Sequence, residues 1–377
     1  MTKVFLLFSQ VNPQTSAHLS KTKNGGYWKK IIGSILLEII LTGLFLCVFA
    51  LFHHVIPMLR PNVSEAVTPV QLPGVQTAQT DQTVTDADKT DASGTEEDIT
   101  GENQEEVIEE DPVIPWSELF AEHFTGETVS TETTYTSPNV SVTVQATIGK
   151  LDGRPQRIYV ADIYISDINC FRTAAAYNGF TVYSVEEPNK LDIKNNAIVM
   201  INGDYCTFQR QGLLVRNGYM YFSDPTTADI CVLYYDGVME THVAGTYDTE
   251  EILARSPYQI WRFGPALLDE NGKARETFED TRVLSGFHPR TGLGYYEPGH
   301  YCFVVVEGRY NDTAGMDMTL FAQFFEALGC TAAYNMDGGA SSVMTFNDKA
   351  ITRQSSQRGL SDVIYICEPD VEFPPNK

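Results

Sequence analysis

The chain has 377 residues, with 49 acidic and 26 basic side chains and a formal net charge of −23 at pH 7. A field of this sign repels a phosphate backbone, so the composition argues against a nucleic-acid partner. The charge is uneven, because residues 1–60 carry six basic residues against Glu38, whereas residues 61–115 carry fourteen acidic residues against Lys89. This pattern predicts one folded domain preceded by segments of different character.

The first element is an apolar run from Ile31 to Phe52, interrupted by Glu38. As a helix it would span about 33 Å, enough to cross a hydrocarbon core of roughly 30 Å. Four lysines between residues 21 and 30 favour a cytoplasmic N-terminus. A cleaved signal peptide is the alternative, since Val48-Phe49-Ala50 resembles a cleavage site, but the long leader favours an uncleaved signal-anchor. We therefore predict a cytoplasmic segment over residues 1–30 and a transmembrane helix over 31–56.

Residues 57–115 are rich in Thr, Gln, Asp, Glu and Pro and show no hydrophobic periodicity. Such a segment cannot bury enough apolar surface to offset the entropy of ordering, and its like charges keep it extended. It is predicted to be a disordered acidic stalk. Residues 116–377 would then form the extracellular domain of a single-pass membrane protein.

The predicted domain is α+β, a single strand-rich, mixed-sheet unit with few helices. Apolar and β-branched runs separated by turn residues predict its strands. The predicted strands are Val140–Ile148, Arg157–Ile165, Ala197–Asn202, Gly212–Val215, Tyr219–Phe222, Ile230–Tyr235, Gln259–Phe263, Arg282–Gly286, Thr291–Tyr296 and Tyr301–Glu307. The turn Arg216-Asn217-Gly218-Tyr219 is a strong hairpin signal.

Two segments are predicted to be helical. Trp116 to Phe124 could form a short helix at the start of the domain. Met318 to Leu328 carries an apolar stripe at helical spacing, with Asp317 or Thr319 as a cap and Gly329 as the stop.

Cysteine and histidine usage gives no metal signature. The six cysteines beyond the predicted anchor have no CxxC spacing, and their pairing is left open. The four histidines His123, His242, His288 and His300 lack metal-type spacing. We therefore predict no metal site and no cofactor.

Four polar segments of the domain could carry chemistry. Asn202-Gly203-Asp204 and Glu307-Gly308-Arg309 each end a buried-type strand, and Arg290 and Thr291 open one. The fourth is the turn at Asp337-Gly338-Gly339. Each alone could be structural, but strand ends that gather polar turns are a usual way to build a site on a rigid scaffold.

These motifs, in this order, resemble the phosphodiester glycosidase family over approximately Ser137 to Cys367. The resemblance rests on Ile201-Asn202-Gly203-Asp204-Tyr205, Phe263-Gly264-Pro265-Ala266-Leu267, Pro289-Arg290-Thr291-Gly292-Leu293-Gly294, Val306-Glu307-Gly308-Arg309, Gly315-Met316 and Asn335-Met336-Asp337-Gly338-Gly339-Ala340-Ser341-Ser342. Three positions depart from the family pattern: Ala340 replaces a third glycine, Glu307 stands where Asp is commoner, and Asp362 replaces a frequent Asn.

The resemblance implies an extracytoplasmic hydrolase that cleaves a sugar-1-phosphate linkage, such as a GlcNAc-1-phosphodiester, in an envelope or exopolysaccharide. Glycosidic cleavage generally uses two carboxyl groups. The candidate catalytic residues are Asp337, Asp204 and Glu307. The candidate substrate-binding residues are Asn202, Gly203, Arg290, Thr291, Arg309, Gly338, Gly339, Ser341 and Ser342, with Arg290, alone or together with Arg309, expected to hold the phosphate.

Two other functions remain open at this stage. One is a non-catalytic glycan-binding module that uses Tyr205, Tyr295 and Tyr296 as platforms. The other is a calcium-dependent phosphodiesterase, because clustered carboxylates can bind Ca²⁺ without histidine.

Overall fold

The structure is a computed structural model that describes Thr42, Thr68–Pro69 and residues 114–369, apart from 182, 209–211, 225, 227 and 279–281. The predicted cytoplasmic segment and nearly all of the predicted anchor and stalk lie outside these residues and stay predictions. Within the described part of the chain, no helix is both long and apolar enough to cross a membrane.

The described residues form 18 strands and five α-helices. The strands are β1 Thr68–Pro69, β2 Val129–Ser130, β3 Thr134–Thr136, β4 Val140–Leu151, β5 Arg154–Ile165, β6 Phe171–Ala175, β7 Val199–Asn202, β8 Leu213–Arg216, β9 Tyr219–Ser223, β10 Ile230–Tyr234, β11 Met239–His242, β12 Pro257–Trp261, β13 Arg290–Glu297, β14 His300–Val306, β15 Ala332–Asn335, β16 Met344–Phe346, β17 Lys349–Ala350 and β18 Asp362–Ile366. The helices are α1 Trp116–Leu119, α2 Pro188–Lys194, α3 Thr249–Ala254, α4 Arg282–Ser285 and α5 Met318–Leu328.

The strands make three sheets. A seven-stranded sheet has the order β15-β13-β14-β5-β4-β3-β2, a five-stranded sheet β17-β16-β7-β18-β6, and a six-stranded sheet β1-β9-β8-β12-β10-β11. The strand-rich domain with few helices is confirmed, but the predicted mixed sheet is wrong, because every strand pairing among the described residues is antiparallel. Hairpin turns connect antiparallel neighbours directly, whereas parallel neighbours need long crossovers.

The core lies on both faces of the seven-stranded sheet, as alternation along β14 shows. Tyr301, Phe303 and Val305 belong to the largest apolar cluster, which also takes residues from the other two sheets. Cys302, Val304 and Val306 point the other way, into a cluster built on α5. One strand thus joins two cores, which fixes its register against both.

Helix α5 begins and ends where the sequence predicts. The Asp317 side chain accepts from the Leu320 N–H at 2.8 Å, and Gly329 ends the helix at φ +83°. Gly292 and Gly294 of β13 allow α5 to approach closely, since a Cβ on either would lie within 3 Å of the Phe325 ring. The Gly-Leu-Gly pattern is therefore explained by helix–sheet packing.

Two further predictions have opposite outcomes. The hairpin between β8 and β9 is confirmed, with Asn217 and Gly218 at φ +52° and +79° as its two-residue turn. The strand predicted at Arg282–Gly286 is wrong, because Arg282–Ser285 is the single helical turn α4. The Arg290 side chain donates to the carbonyls of Leu284 in this turn and of Gly286 just after it, contacts that propensity within the segment cannot reveal.

Candidate active site

Asn202, the last residue of β7, joins three of the four polar segments. Its Oδ1 accepts from the Thr291 hydroxyl at 2.8 Å and from the Val343 N–H at 3.3 Å. Its Nδ2 donates to the Asp337 carbonyl at 2.6 Å. One buried amide side chain therefore fixes the end of β7, the start of β13 and the turn after β15 relative to each other.

Gly203 brings the backbone of this corner against Asp362. Its N–H donates to the Asp362 carbonyl at 2.9 Å, and its own carbonyl accepts from the Asp337 N–H at 3.3 Å. A Cβ at this position would lie 1.9 Å from Asp362 Oδ2. Glycine is thus required by the close approach of two chain segments, and this backbone holds the site together.

The Asp337 carboxyl lies at this corner and is partly exposed to solvent. Burial raises its pKa above the ordinary value for aspartate, opposed by hydrogen bonds from the Ser341 hydroxyl and the Gly338 N–H and by the charge of Arg358. The carboxyl therefore has a raised pKa while it keeps partial access to solvent. These are the surroundings expected of a nucleophile or a general base.

Arg309 lies on one side of the Asp337 turn. Its guanidinium is so near Gly339 that a Cβ there would lie 3.0 Å from its terminal nitrogen. Gly339 has φ +67° and donates its N–H to the Pro289 carbonyl at 2.9 Å. Arg309 is exposed and approaches His288 Nδ1 at 3.5 Å. The turn thus presents a carboxylate with an accessible cation beside it.

Asp204 lies behind this corner in a closed environment. Both of its oxygens accept from Arg216 at 2.8 Å, and one also accepts from the Arg262 N–H at 2.8 Å. Arg216 is fully buried, and Asp204 is 1% exposed. Burial raises the pKa of Asp204, but the charge and hydrogen bonds of Arg216 outweigh it and hold the pKa below its usual value. Asp204 is a carboxylate locked in an ion pair.

Asp362 is the second carboxyl of this buried cluster. Its Oδ2 accepts from the Asp204 N–H at 3.0 Å and its Oδ1 from the Ser361 hydroxyl at 2.5 Å. Burial, followed by the negative charge of Asp204, raises its pKa to about 7. Because Arg216 is already paired with Asp204, Asp362 is the member of the cluster that gains a proton first.

Among the described residues, Asp204, Asp362 and Cys206 are the group whose side chains lie close enough to hold one metal ion. All four carboxylate oxygens, however, already accept from Arg216, the Arg262 N–H, the Asp204 N–H or Ser361. A calcium ion takes six to eight oxygen ligands, and this cluster offers four that are engaged. The donor set does not fit calcium.

Glu307, the third predicted carboxylate, is held by arginine side chains. It is 1% exposed, and its oxygens accept from Arg353 N–H and Nε at 2.7 Å. Arg157 lies 3.6 Å from it, and Asp312 binds the same two arginines. This geometry is that of a structural ion-pair network joining the end of β14 to the segment after β17.

Arg290 is likewise placed for structure. It is 3% exposed; its Nε donates to the Met316 carbonyl at 2.8 Å and its terminal nitrogen to the Gly286 carbonyl at 2.9 Å. Burial lowers its pKa to about 10. The Arg290 guanidinium, which was predicted to hold phosphate, is enclosed by backbone carbonyls. Of Arg290 and Arg309, Arg309 is therefore the more accessible cation.

The two serines of the turn differ. Ser341 is buried, and its hydroxyl is among the groups that lower the pKa of Asp337. Ser342 is also buried, and its Oγ has no hydrogen-bond partner among the described residues. Ser341 therefore influences the charge of the Asp337 carboxyl, whereas no contact among the described residues explains Ser342.

Sequence reasoning missed Arg358 as a member of the site. Its guanidinium carbon lies 5.3 Å from the centre of the Tyr205 ring, and Tyr205 stacks on Phe208 at 3.7 Å with 6° between planes. Tyr205 has φ +66°, an uncommon conformation for a large side chain. Arg358 lies in an irregular segment 21 residues beyond Asp337. The local signal was the stretch Arg358-Gly-Leu-Ser-Asp362, which was interpreted only for its departure at Asp362.

The three tyrosines proposed as glycan platforms do not offer free faces. Tyr205 is stacked as described, Tyr296 stacks on His300 at 4.1 Å, and Tyr295 is 8% exposed. The geometry does not favour a binding module built on these rings.

A known protein family matches the part of the chain that contains these site residues. The sequence model of the phosphodiester glycosidase family matches residues 195–367, which include Asn202, Arg309, Asp337 and Arg358. The resemblance seen in the motifs is confirmed over this segment, which matches the family's model.

Individual relatives are distant. The SPbeta prophage-derived uncharacterized protein YomE of Bacillus subtilis is 25% identical over 185 residues, 47% of this chain and 29% of that protein. The chain thus spans less than a third of the length of this curated relative.

A solved structure shares the fold of this domain. The catalytic domain of zebrafish N-acetylglucosamine-1-phosphodiester alpha-N-acetylglucosaminidase, auto-inhibited by its pro-peptide, superposes with a TM-score of 0.52 at 19% identity, covering 64% of this chain and 88% of that one. A hypothetical protein from Synechocystis gives 0.43 at 11% identity, covering 61% and 62%.

Proposed function

We propose that this protein hydrolyses glycosyl phosphodiesters, with Asp337 as the reacting carboxylate. The observation that carries the proposal is the corner in which Asn202 holds the Asp337 turn and places its accessible carboxyl beside Arg309 and Arg358. The family match supports the reaction class.

The chemistry would proceed at the bond between the anomeric carbon and the phosphate oxygen. Asp337 acts as nucleophile or as base for the attacking water, Ser341 and Gly338 hold its orientation, and Arg309 neutralises the departing phosphate. The hydroxyl of water adds to the anomeric carbon, and its remaining proton ends on the phosphate monoester. The products are a free sugar and that monoester.

A single accessible carboxylate is compatible with this reaction. The other two predicted carboxylates are each held by a guanidinium, Asp204 by Arg216 and Glu307 by Arg353. Phosphate is a good leaving group, so stabilising its charge can replace much of the proton donation that an alcohol leaving group needs. Asp204 would act by positioning the backbone of residues 202–204.

The cellular context belongs to the same proposal. The apolar run over residues 31–56 and the preceding lysines support a single-pass membrane protein with this domain outside the cell. Its substrate would be an envelope or exopolysaccharide linkage. Labelling of intact cells with a membrane-impermeant reagent tests the location, and a domain labelled only after lysis would contradict it.

The reaction is tested by product analysis with a panel of sugar-1-phosphodiesters, including GlcNAc-1-phosphate esters, using the full-length protein with and without a chelator. Release of free sugar that survives chelation is the expected result. Loss of turnover with chelator would support a metal-dependent phosphodiesterase instead. Saccharide binding without any product would support a glycan-binding module.

A further inference from the structure

Two buried cysteines meet beside helix α5, outside the candidate active site. Cys302 lies in β14 and is 0% exposed, and Cys330 lies between α5 and β15 and is 3% exposed. Their Sγ atoms are 3.7 Å apart, although the two residues are 28 positions apart in the chain. The proposed reaction uses neither side chain, so this pair of nucleophilic groups needs an explanation of its own.

The backbone brings the two sulfur atoms together over Gly294. This residue of β13 pairs with Cys302 on one side and with Ala333 of β15 on the other. A Cβ on Gly294 would lie 2.5 Å from the Cys302 Sγ and 2.7 Å from the Cys330 Sγ. Glycine at this position therefore leaves the space in which the two side chains face each other across the middle strand.

A disulfide bond needs only a small movement from this arrangement. Bonded sulfur atoms lie about 2.05 Å apart, so the two Sγ atoms would have to approach each other by less than about 2 Å. Rotation about the Cα–Cβ bonds can supply such a shift without moving the strands. Both cysteines belong to the apolar cluster that contains Phe321 and Phe325, so the bond would be enclosed and resistant to reduction.

The surroundings of the pair also indicate when the bond would form. The neighbouring Cys330 thiol and burial raise the pKa of the Cys302 thiol well above its ordinary value. Because the thiolate is the form that attacks a disulfide, the folded pair would react slowly. Oxidation therefore belongs to folding, before the two side chains are enclosed.

We propose that Cys302 and Cys330 form a structural disulfide bond that ties β14 to the segment leading into β15. Because β15 ends at Asn335, the bond would anchor the strand that leads to the Asp337 turn. The inference rests on the proposed location outside the cell, where oxidants keep cysteines paired.

The oxidant would be an exported thiol–disulfide oxidoreductase. One cysteine thiolate attacks the disulfide of this oxidant and gives a mixed disulfide, and the other cysteine then displaces the oxidant's sulfur. The two cysteines lose two protons and two electrons, and the disulfide of the oxidant becomes two thiols. The electrons and protons balance with no further reactant.

Peptide mapping of the full-length protein tests the pairing. Cells in which the domain is labelled from outside are lysed in N-ethylmaleimide, and the protein is digested with trypsin without reduction. Trypsin places Cys302 alone in residues 291–309 and Cys330 alone in residues 310–349. These two peptides should be recovered linked, two hydrogen atoms lighter than their sum. Both peptides carrying N-ethylmaleimide, or Cys302 linked to a different cysteine, would overturn the proposal.

Thermal unfolding measures the contribution of the bond to stability. Wild type refolded with a phosphine reductant should unfold roughly 5–10 °C below the oxidised protein, because the bond closes a long loop. The variant Cys302→Ala/Cys330→Ala should show no such difference. Cys231→Ala is the matched control and should keep the full difference, because Cys231 is a buried cysteine of another apolar cluster. An equal difference in the double variant would overturn the structural role of the bond.

These measurements separate the bond from the proposed location. If the domain is labelled only after lysis, the proposed location fails. The full-length protein is then denatured, reduced and refolded with a mixture of reduced and oxidised glutathione. Recovery of the linked peptides would support the pairing of Cys302 with Cys330, and their absence would overturn it.

Discussion

Asp204 and Asp337 occupy equivalent places in two segments, each two residues after a buried strand end, yet their surroundings are opposite. Asp204 is enclosed with Arg216 and holds its charge in an ion pair. Asp337 is partly exposed, and its burial raises the pKa of its carboxyl. The position of an acidic residue after a strand therefore fixes where its carboxylate lies. Solvent access and the ionic partner decide whether that carboxylate can react.

The largest expected effect comes from the accessible carboxylate. Asp337→Asn should lower kcat/KM by about 10³-fold or more, because an amide is neither nucleophile nor base. The free energy of unfolding should change by less than about 1 kcal/mol, because burial already disfavours the charged form of Asp337. Steady-state kinetics and urea unfolding measure the two.

The matched control is Asp348→Asn, an exposed aspartate in the turn before β17. It should keep wild-type activity and stability. Full activity in Asp337→Asn would remove Asp337 from the chemistry.

The enclosed carboxylate should behave in the opposite way. Asp204→Asn leaves the buried Arg216 without its ionic partner and should lower the free energy of unfolding by about 3–5 kcal/mol. Activity per folded molecule should fall far less than in Asp337→Asn. Urea unfolding with activity measured on the folded fraction tests this.

The double variant Asp204→Asn/Arg216→Met should recover part of the lost stability, because it removes the unpaired charge. If Asp204→Asn keeps the wild-type free energy of unfolding but loses kcat about 10³-fold, Asp204 is a catalytic group and not a structural one.

Asp362 extends the same contrast to the pH dependence of stability. Burial and the negative charge of Asp204 raise the pKa of Asp362 to about 7. The unfolded chain ionises this group near pH 4, so its contribution to stability is fully present below pH 4 and is lost as pH rises through about 7. The slope reaches at most about 1.4 kcal/mol per pH unit. Unfolding measured from pH 4 to 8 should show this loss.

In Asp362→Asn this part of the pH dependence should disappear, since the amide has no proton to lose in this range. An unchanged slope in the variant would assign the titration to another group.

The smallest effect is expected at Glu307. Glu307→Gln should lower the free energy of unfolding by about 1–2 kcal/mol through weaker contacts to Arg353, which is itself partly exposed. kcat should stay within about threefold of wild type. A loss of activity comparable to Asp337→Asn would restore Glu307 as a second catalytic carboxylate.

Much of the fold was predictable because its signals are local. The Met318–Leu328 stripe with Asp317 and Gly329, and the Asn217-Gly218 turn, depend on contacts within a few residues. The strand predicted at Arg282–Gly286 failed because that turn is supported by Arg290, outside the segment. Antiparallel pairing throughout was missed because strand order depends on contacts that no single segment contains.

For the site, the sequence by itself determined the composition of the corner: an amide at Asn202, close-approach glycine at Gly203, and a carboxylate at Asp337 followed by glycines. Only the tertiary structure decided which charged groups are available there. Arg290 is held by the Met316 carbonyl and Glu307 by Arg353, whereas Arg358 lies beside the Tyr205 ring. The physical reason is that motif letters fix chemical groups and local turns, while burial and ion pairing arise between segments far apart in the chain.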